Sequence, residues 1–526
     1  MSFFFNFFKS KLVAPERVPT DTVIPLHSWD DTKTNRKLCI YFSARFDDVL
    51  DVEKLVGALE RLLERPGWRK LGARMRLNEQ DKLEYHIPKR YTPSRPAINF
   101  THASHSTSIS DHPLASQIPH ATSSLSVSGN IERFRDILTP PDQPSKLEDW
   151  IYTDRAQLQL HVVSFTDATL VTLTWLHTLL DAMGRNQLLR AWSAMLEGRE
   201  QDIPDLYGYD FDPLATLGAP KSLPDSKLED NDADEEEEPF VLAHKMLKGW
   251  KMLLFAFRFV WDLTMHRAEH QRMICIPPSF LSNLKTSAMA DLKNISPLSI
   301  VMDTSNPSFS KPFLSDGDIL AAWWLRTLIP SQPWSHRASP RKTIAFMNVF
   351  GMRSVLTTTA PALLPPGPGT AFISNAVMAI HSHFTFQGLL SKPLGLVAAQ
   401  IRTDLAQQST RSQVDAQARL MRNGWRDSGY APVYGESDMA IAVISNWTKG
   451  RMFETDFSAA VVSGGRRAGS MRGRPSYVQA DGCANGFSVR NSGCVVGRDG
   501  EGNYWVSAML RPKVWDEVEK AIRRMA

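Results

Sequence analysis

Apolar residues in the first 200 positions switch repeatedly between runs of strand type and helical spacing. Residues 38–42 read as a strand, and behind a capping Asp51 the residues Val52, Leu55, Val56, Leu59, Leu62 and Leu63 recur on one helix face. Residues 74–77 and 82–87 flank the polar turn Asn78-Glu79-Gln80-Asp81, which is a hairpin pattern. A second hairpin joins residues 158–165 to 170–176 through Thr166-Asp167-Ala168-Thr169, and its second strand runs straight into His177. A turn follows, and then Leu188, Ala191, Trp192, Met195 and Leu196 mark the face of a helix. Between the hairpins, residues 102–128 are rich in Ser, Thr, His and Pro without any period, the signature of an exposed insertion.

Pattern fades between residues 201 and 240, and nine of the fourteen residues from 225 to 238 are acidic. Such a run repels itself and stays solvated, so residues 216–239 read as a linker between two domains, 1–215 and 240–526. Past it, Trp250, Leu253, Leu254, Phe257 and Trp261 recur at helical spacing, on a helix expected to bury itself against the second domain's sheet in preference to resting on a membrane surface or docking an apolar substrate. Residues 272–276 read as a strand closed by Pro277-Pro278, and Ser315 with Asp318 forms a capping box before Ile319, Ala322, Trp323 and Leu328. Near the end, a turn at 497–502 separates two strand patterns, and Pro512 opens a last helix burying Trp515, Val518, Ile522 and Met525. Strands and helices mix in both halves with no fixed-period repeat, so the predicted class is α/β.

Composition excludes several functions. The 60 Lys+Arg against 56 Asp+Glu leave a net charge of +4, too balanced for nucleic-acid binding by charge, and no recognition motif accompanies it. Four scattered cysteines form neither a disulfide framework nor a zinc site, which fits a reducing, cytoplasmic setting. The histidines of 102–128 lack ligand spacing, so no metal is expected there. The aromatic opening Met-Ser-Phe-Phe-Phe-Asn-Phe-Phe-Lys has no basic start and no small-residue cleavage site, and residues 252–261 are interrupted by Arg258. Neither a signal peptide nor a spanning helix is expected.

Common catalytic signatures are missing: no G-x-G-x-x-G opening a helix after a strand, no G-x-x-x-x-G-K-[ST], no H-E-x-x-H and no G-x-S-x-G. What remains is His177, four residues before Asp181 at the end of a strand. The segment Leu173-Thr-Trp-Leu-His177-Thr-Leu-Leu-Asp181-Ala-Met-Gly184 resembles the H-x-x-x-D-G motif of BAHD acyltransferases, in particular their fungal natural-product branch. Ser445-Asn446-Trp447 followed by Thr455-Asp456-Phe457 is similar to the approach to that family's D-F-G-W-G motif. Between them, Asn348-Val-Phe-Gly-Met-Arg353, Pro365-Pro366-Gly367 and Phe372-Ile-Ser-Asn375 resemble its Arg-containing strand, Pro-rich turn and Asn element. The resemblance covers most of residues 20–526. Ala182 stands where the family has Gly, and Ser458-Ala459-Ala460 replaces Gly-Trp-Gly.

The resemblance implies two chloramphenicol-acetyltransferase-like domains with His177 in a channel between them, entered by acyl-CoA from one side and an alcohol or amine from the other. Moving an acyl group from a thioester to an alcohol needs a base of near-neutral pKa, which imidazole supplies, and no metal or bound cofactor. It also implies structural roles for the carboxylates, with Asp181 paired to Arg272 and Asp456 to Arg353. Arg466, Arg467, Arg472 and Arg474 lie on a Gly-rich stretch without an acid, suited to the phosphates of CoA or simply to solvent. The expected activity is O-acyl transfer, acetyl foremost, to a hydroxyl of a fungal secondary metabolite by a monomer. Two rivals stand beside it: a binding protein that keeps the channel without turnover, and a condensation-type enzyme using carrier-bound thioesters.

Overall fold

The computed structural model describes residues 12–219, 238–293, 295–303, 311–464, 471–486 and 488–525. Most of the acidic stretch read as a linker therefore lies outside the described residues.

Two large sheets organise the chain. The five-stranded sheet runs Pro475–Ala484, Leu38–Phe46, Thr169–Leu176, Gln159–Ser164, Asn99–Ser104. All its pairings are antiparallel except the last, which is parallel. Leu38–Phe46 and Thr169–Leu176 occupy central positions, covered on both faces, so nearly every residue along them is buried, polar ones included. Ser43 and Thr172 face each other there and satisfy one another, hydroxyl to hydroxyl at 2.9 Å. Helix Val52–Glu64 begins at Asp51, whose carboxylate accepts from the Lys54 amide as the sequence pattern predicts. It buries Leu55, Ala58, Leu59, Leu62 and Leu63, and it meets helix Ala182–Leu196, where the Trp192 indole donates to the Leu55 carbonyl at 2.9 Å.

The seven-stranded sheet runs Val377–Thr385, Thr343–Gly351, Ala440–Asn446, Ser492–Arg498, Tyr504–Leu510, His270–Ile276, Ser126–Asn130. Helix Asp316–Leu328 packs with it behind the capping box of Ser315 and Asp318, both hydrogen bonds of which form. The last helix, Pro512–Met525, buries Val514, Trp515, Val518 and Ile522, whereas Met525 in its final turn is exposed.

Each sheet borrows one strand across the sequence. Residues 475–484 complete the sheet of the N-terminal half, and residues 126–130 edge the sheet of the C-terminal half. Residues 102–128, read from sequence as an exposed insertion, are therefore the crossover between sheets. They start in the edge strand Asn99–Ser104, bury Ile109, Ala115, Ile118 and Leu125, and finish in Ser126–Asn130. Edge strands and a crossover carry few apolar residues, so no period shows. Helix Gly249–Met265 also departs from expectation. None of its residues is buried, because it touches the body of the protein along one narrow side, where Met252 and Phe255 meet Leu247, Ala345 and Met439.

Candidate active site

His177 follows directly on strand Thr169–Leu176. Its amide donates to the Leu38 carbonyl at 2.8 Å, extending the ladder by one residue before the chain turns. The turn is held from several sides. The Tyr85 hydroxyl donates to the Thr178 carbonyl at 3.1 Å, the Trp175 indole to the Leu180 carbonyl at 3.2 Å, and the Asn375 side-chain amide to the His177 carbonyl at 2.8 Å. Asn375 is itself fixed, since its backbone and side-chain N–H groups both donate to Asp30 Oδ1, at 2.8 and 2.7 Å. A residue from the second half of the chain thus grips the peptide of His177.

Burial holds the imidazole below its ordinary pKa of 6.5, outweighing its own backbone, Asp181 and the Asn375 amide, which favour the charged form; Arg185 adds to the lowering. The ring is neutral near pH 7, and its Nδ1 is buried.

Asp181 ends the turn and caps helix Ala182–Leu196. Its Oδ1 accepts from the amides of Met183 and Gly184, at 3.0 and 2.9 Å, and its Oδ2 from the amide of Ala376 at 3.1 Å. Arg353 adds a two-point ion pair, both contacts at 2.9 Å. Burial would raise the pKa of this carboxyl, but the Arg353 charge and the amide donors prevail and hold it below the usual 3.8. With five donors aimed at it, the carboxylate serves the helix cap and Arg353. The guanidinium further donates to the carbonyls of Phe372 and Ser374, at 3.1 and 2.6 Å, so segment 372–376 is fastened to the start of the helix. Gly184 permits that closeness: a Cβ there would lie 1.9 Å from the Ile373 carbonyl oxygen.

The chain is 38% identical to the transcriptional regulator calD of Penicillium decumbens, over 99% of both chains, and 35% identical to the acetyltransferase adrJ of Penicillium rubens, over 97% of both. It belongs to the BAHD-type acyl-CoA-dependent acyltransferases, in their fungal branch. The crystal structure of F. sporotrichioides TRI101 complexed with coenzyme A and T-2 superposes with a TM-score of 0.61 at 16% identity, covering 96% of this chain and 98% of that one. The two-domain fold of these transferases is therefore this chain's fold. No family model matches the chain.

Against the expectations for such an acyltransferase, His177, Asp181 and Arg353 come together, but the ion pairs are distributed differently. Arg272 does not meet Asp181. Its strand lies between Ser126–Asn130 and Tyr504–Leu510, which turns the guanidinium toward the last helix, 3.3 Å from Glu519 and over the Trp515 ring. Asp456 does not meet Arg353, which Asp181 already occupies. Its carboxylate accepts from the Ser458 amide at 2.9 Å, and it lies 3.6 Å from Arg474. Phe457 beside it is buried between Phe46 and Trp192, and the Ala460 carbonyl accepts from the Asp51 amide at 2.7 Å. The segment that replaces Gly-Trp-Gly is in this way bound to the first sheet, with Ala459 facing solvent. Of the four loop arginines, Arg474 is engaged by Asp456, Arg472 is exposed, and Arg466 and Arg467 lie outside the described residues.

Asp30, Lys70 and Arg185 escaped sequence reading. Asp30, Lys70, Ser374 and Asn375 form a buried polar cluster behind His177, with Lys70 Nζ donating to the Ser374 hydroxyl at 3.1 Å. Burial pushes the Asp30 carboxyl up to about 6 against the pull of Lys70 and Asn375. Asn375 carries the Asn element read from the sequence, and nothing there marks Asp30 or Lys70. Arg185 did leave a signal, a charge in line with Leu188, Trp192 and Met195 on the buried helix face. Its guanidinium is fully buried between the rings of Phe42 and Trp447, 4.3 and 4.6 Å from their centroids, and burial lowers its pKa to about 10.

Proposed function

We propose that this protein is an O-acyltransferase that moves an acyl group, acetyl foremost, from acyl-CoA to a hydroxyl of a fungal secondary metabolite, with His177 as general base. The observation that carries the reading is the condition of His177: neutral at physiological pH and anchored through its own peptide by Asn375. The imidazole takes the hydroxyl proton as the acceptor oxygen attacks the thioester carbonyl. The C–O bond forms, the tetrahedral intermediate collapses with loss of the C–S bond, and the departing CoA thiolate takes the proton back from the imidazolium. No covalent bond to the enzyme is needed. Asp181 and Arg353 act by fixing the turn and segment 372–376 around the histidine, while Asp456 and Arg272 brace their own walls.

The names of the relatives support this substrate class: adrJ is an acetyltransferase, and the TRI101 crystal holds coenzyme A with T-2. Domains 1–215 and 240–526, a monomeric state and a cytoplasmic location complete the reading. The four cysteines are free thiols, and no helix among the described residues is long and apolar enough to cross a membrane. Mass detection of acylated products from acetyl-CoA and a panel of alcohols tests it; absence of any product with every acyl-CoA supplied would count against it.

The name of the Penicillium decumbens relative favours a second reading, regulation through ligand binding without turnover. The same assay separates the two, because that reading requires binding of acyl-CoA with no acyl transfer.

A further inference from the structure

Helix Gly249–Met265 is anchored, yet no described residue covers its outer side. On its inner side Met252 and Phe255 pack with Leu247, Ala345 and Met439, and Asp262 is clasped by Arg490 and Arg511. Its orientation on the protein is thereby fixed. At about 100° per residue, the outer side presents Trp250, Leu253, Leu254, Phe257, Val260, Trp261, Thr264 and Met265 within an arc of roughly 140°. Trp250 is 68% exposed, Leu253 72% and Phe257 65%, and Val260, Trp261 and Met265 are each more than half exposed. Soluble monomers rarely leave a contiguous apolar face of this kind in water, and here it is a property of one whole helix.

The charges beside the face are one-sided. Lys251 and Arg258 lie along one border of the apolar arc, Lys248 immediately precedes the helix, and Arg267 follows it. The helix carries one acid, Asp262, which its two arginines neutralise. Lys251 also stands 4.0 Å from Glu436, but both side chains are more than half exposed, and such a pair holds weakly. Tryptophans sit near both ends, where indoles favour the boundary between headgroups and acyl chains. At about 1.5 Å per residue the helix is roughly 26 Å long, shorter than the hydrocarbon core and interrupted by Arg258, so it suits lying in the interface and not crossing it.

We infer that this helix docks the protein on the surface of an anionic phospholipid bilayer, with its outer face in the acyl-chain boundary and its lysine and arginine border among the headgroups. A second copy fits the face less well. Antiparallel two-fold association through it would set Lys251 and Arg258 of one copy close to those of the other, like charge against like.

Full-length protein is mixed with vesicles of phosphatidylcholine alone or of phosphatidylcholine with about 30% phosphatidylserine, and the bound fraction is read by co-sedimentation. Binding to the anionic vesicles is expected to exceed binding to the neutral ones about tenfold or more and to weaken with salt. The triple variant Trp250→Ser/Phe257→Ser/Trp261→Ser is expected to lose at least about tenfold in partitioning with its melting temperature unchanged, since these side chains support no core. Lys251→Glu/Arg258→Glu is expected to erase the preference for phosphatidylserine, and this second variant decides the matter should the first fail to fold. Failure of the wild type to bind either vesicle, or binding unchanged in both variants, overturns the inference. So does a wild-type dimer by sedimentation equilibrium that the triple variant turns into a monomer, which would assign the face to a second copy.

Discussion

Arg353 and Asp181, 172 positions apart in the chain, meet in a two-point ion pair with both contacts at 2.9 Å. The pair joins the turn after His177 to the segment whose Asn375 holds the histidine's own carbonyl. Stability and activity are therefore coupled at this point, but through different atoms.

Asp181→Asn keeps the shape of the side chain and removes its charge, leaving the Arg353 guanidinium half-buried without its anion. Breaking one partner of such a pair costs about 3–5 kcal/mol. The expected result is a lower melting temperature or soluble yield together with a reduced rate, measured by thermal unfolding beside acyl transfer. A variant as stable as the wild type but inactive would assign the carboxylate a direct role on the imidazole.

Asn375→Ala removes the donor to the His177 carbonyl and, with it, a group that favours the charged imidazole. Two consequences are expected: kcat falls while KM for acyl-CoA changes little, and the acid limb of the rate profile moves to lower pH. General loosening of the fold would not shift that limb, so an unmoved limb would contradict the positioning role.

The pH dependence has a definite sign. A general base works when unprotonated, and burial holds His177 below 6.5, so kcat/KM is expected to rise with pH through an apparent pKa below 6.5 and to be level at pH 7. Asp181 acts on stability in the opposite range. Its folded pKa is depressed, so its contribution is complete above 3.8 and is lost only as pH falls through its lower folded value. On acidification, rate is lost as the imidazole takes up its proton, and this source of stability is lost separately as the carboxyl takes up its own. A kcat/KM that falls with rising pH below 6.5 would contradict the assignment.

Much of this arrangement is legible in the sequence, and what is not shares one cause. The Asp51 cap, the Ser315–Asp318 box, the hairpin that ends at His177 and the helix after Asp181 rest on near neighbours in the chain, where spacing and residue type suffice. The partners of Arg353 and Arg272 depend on which strands lie side by side. Periodicity says that a side chain faces inward and not what it faces: Arg353 meets Asp181 and Arg272 meets Glu519, partners that spacing does not reveal. Residues 126–130 and 475–484 were illegible for the same reason, since each joins the sheet of the other half. Helix Gly249–Met265 shows a further limit: apolar spacing identified the helix, but could not say whether protein covers its face.

The central claim is that the neutral imidazole of His177 carries the proton in acyl transfer. The most direct test measures transfer from acetyl-CoA to an accepted alcohol by the wild type and by His177→Ala, with CoA affinity and melting temperature recorded for both. A rate lowered by about 10²–10⁴-fold or more, with CoA binding and melting temperature nearly unchanged, is the predicted result. A His177→Ala enzyme that turns over at the wild-type rate would contradict it.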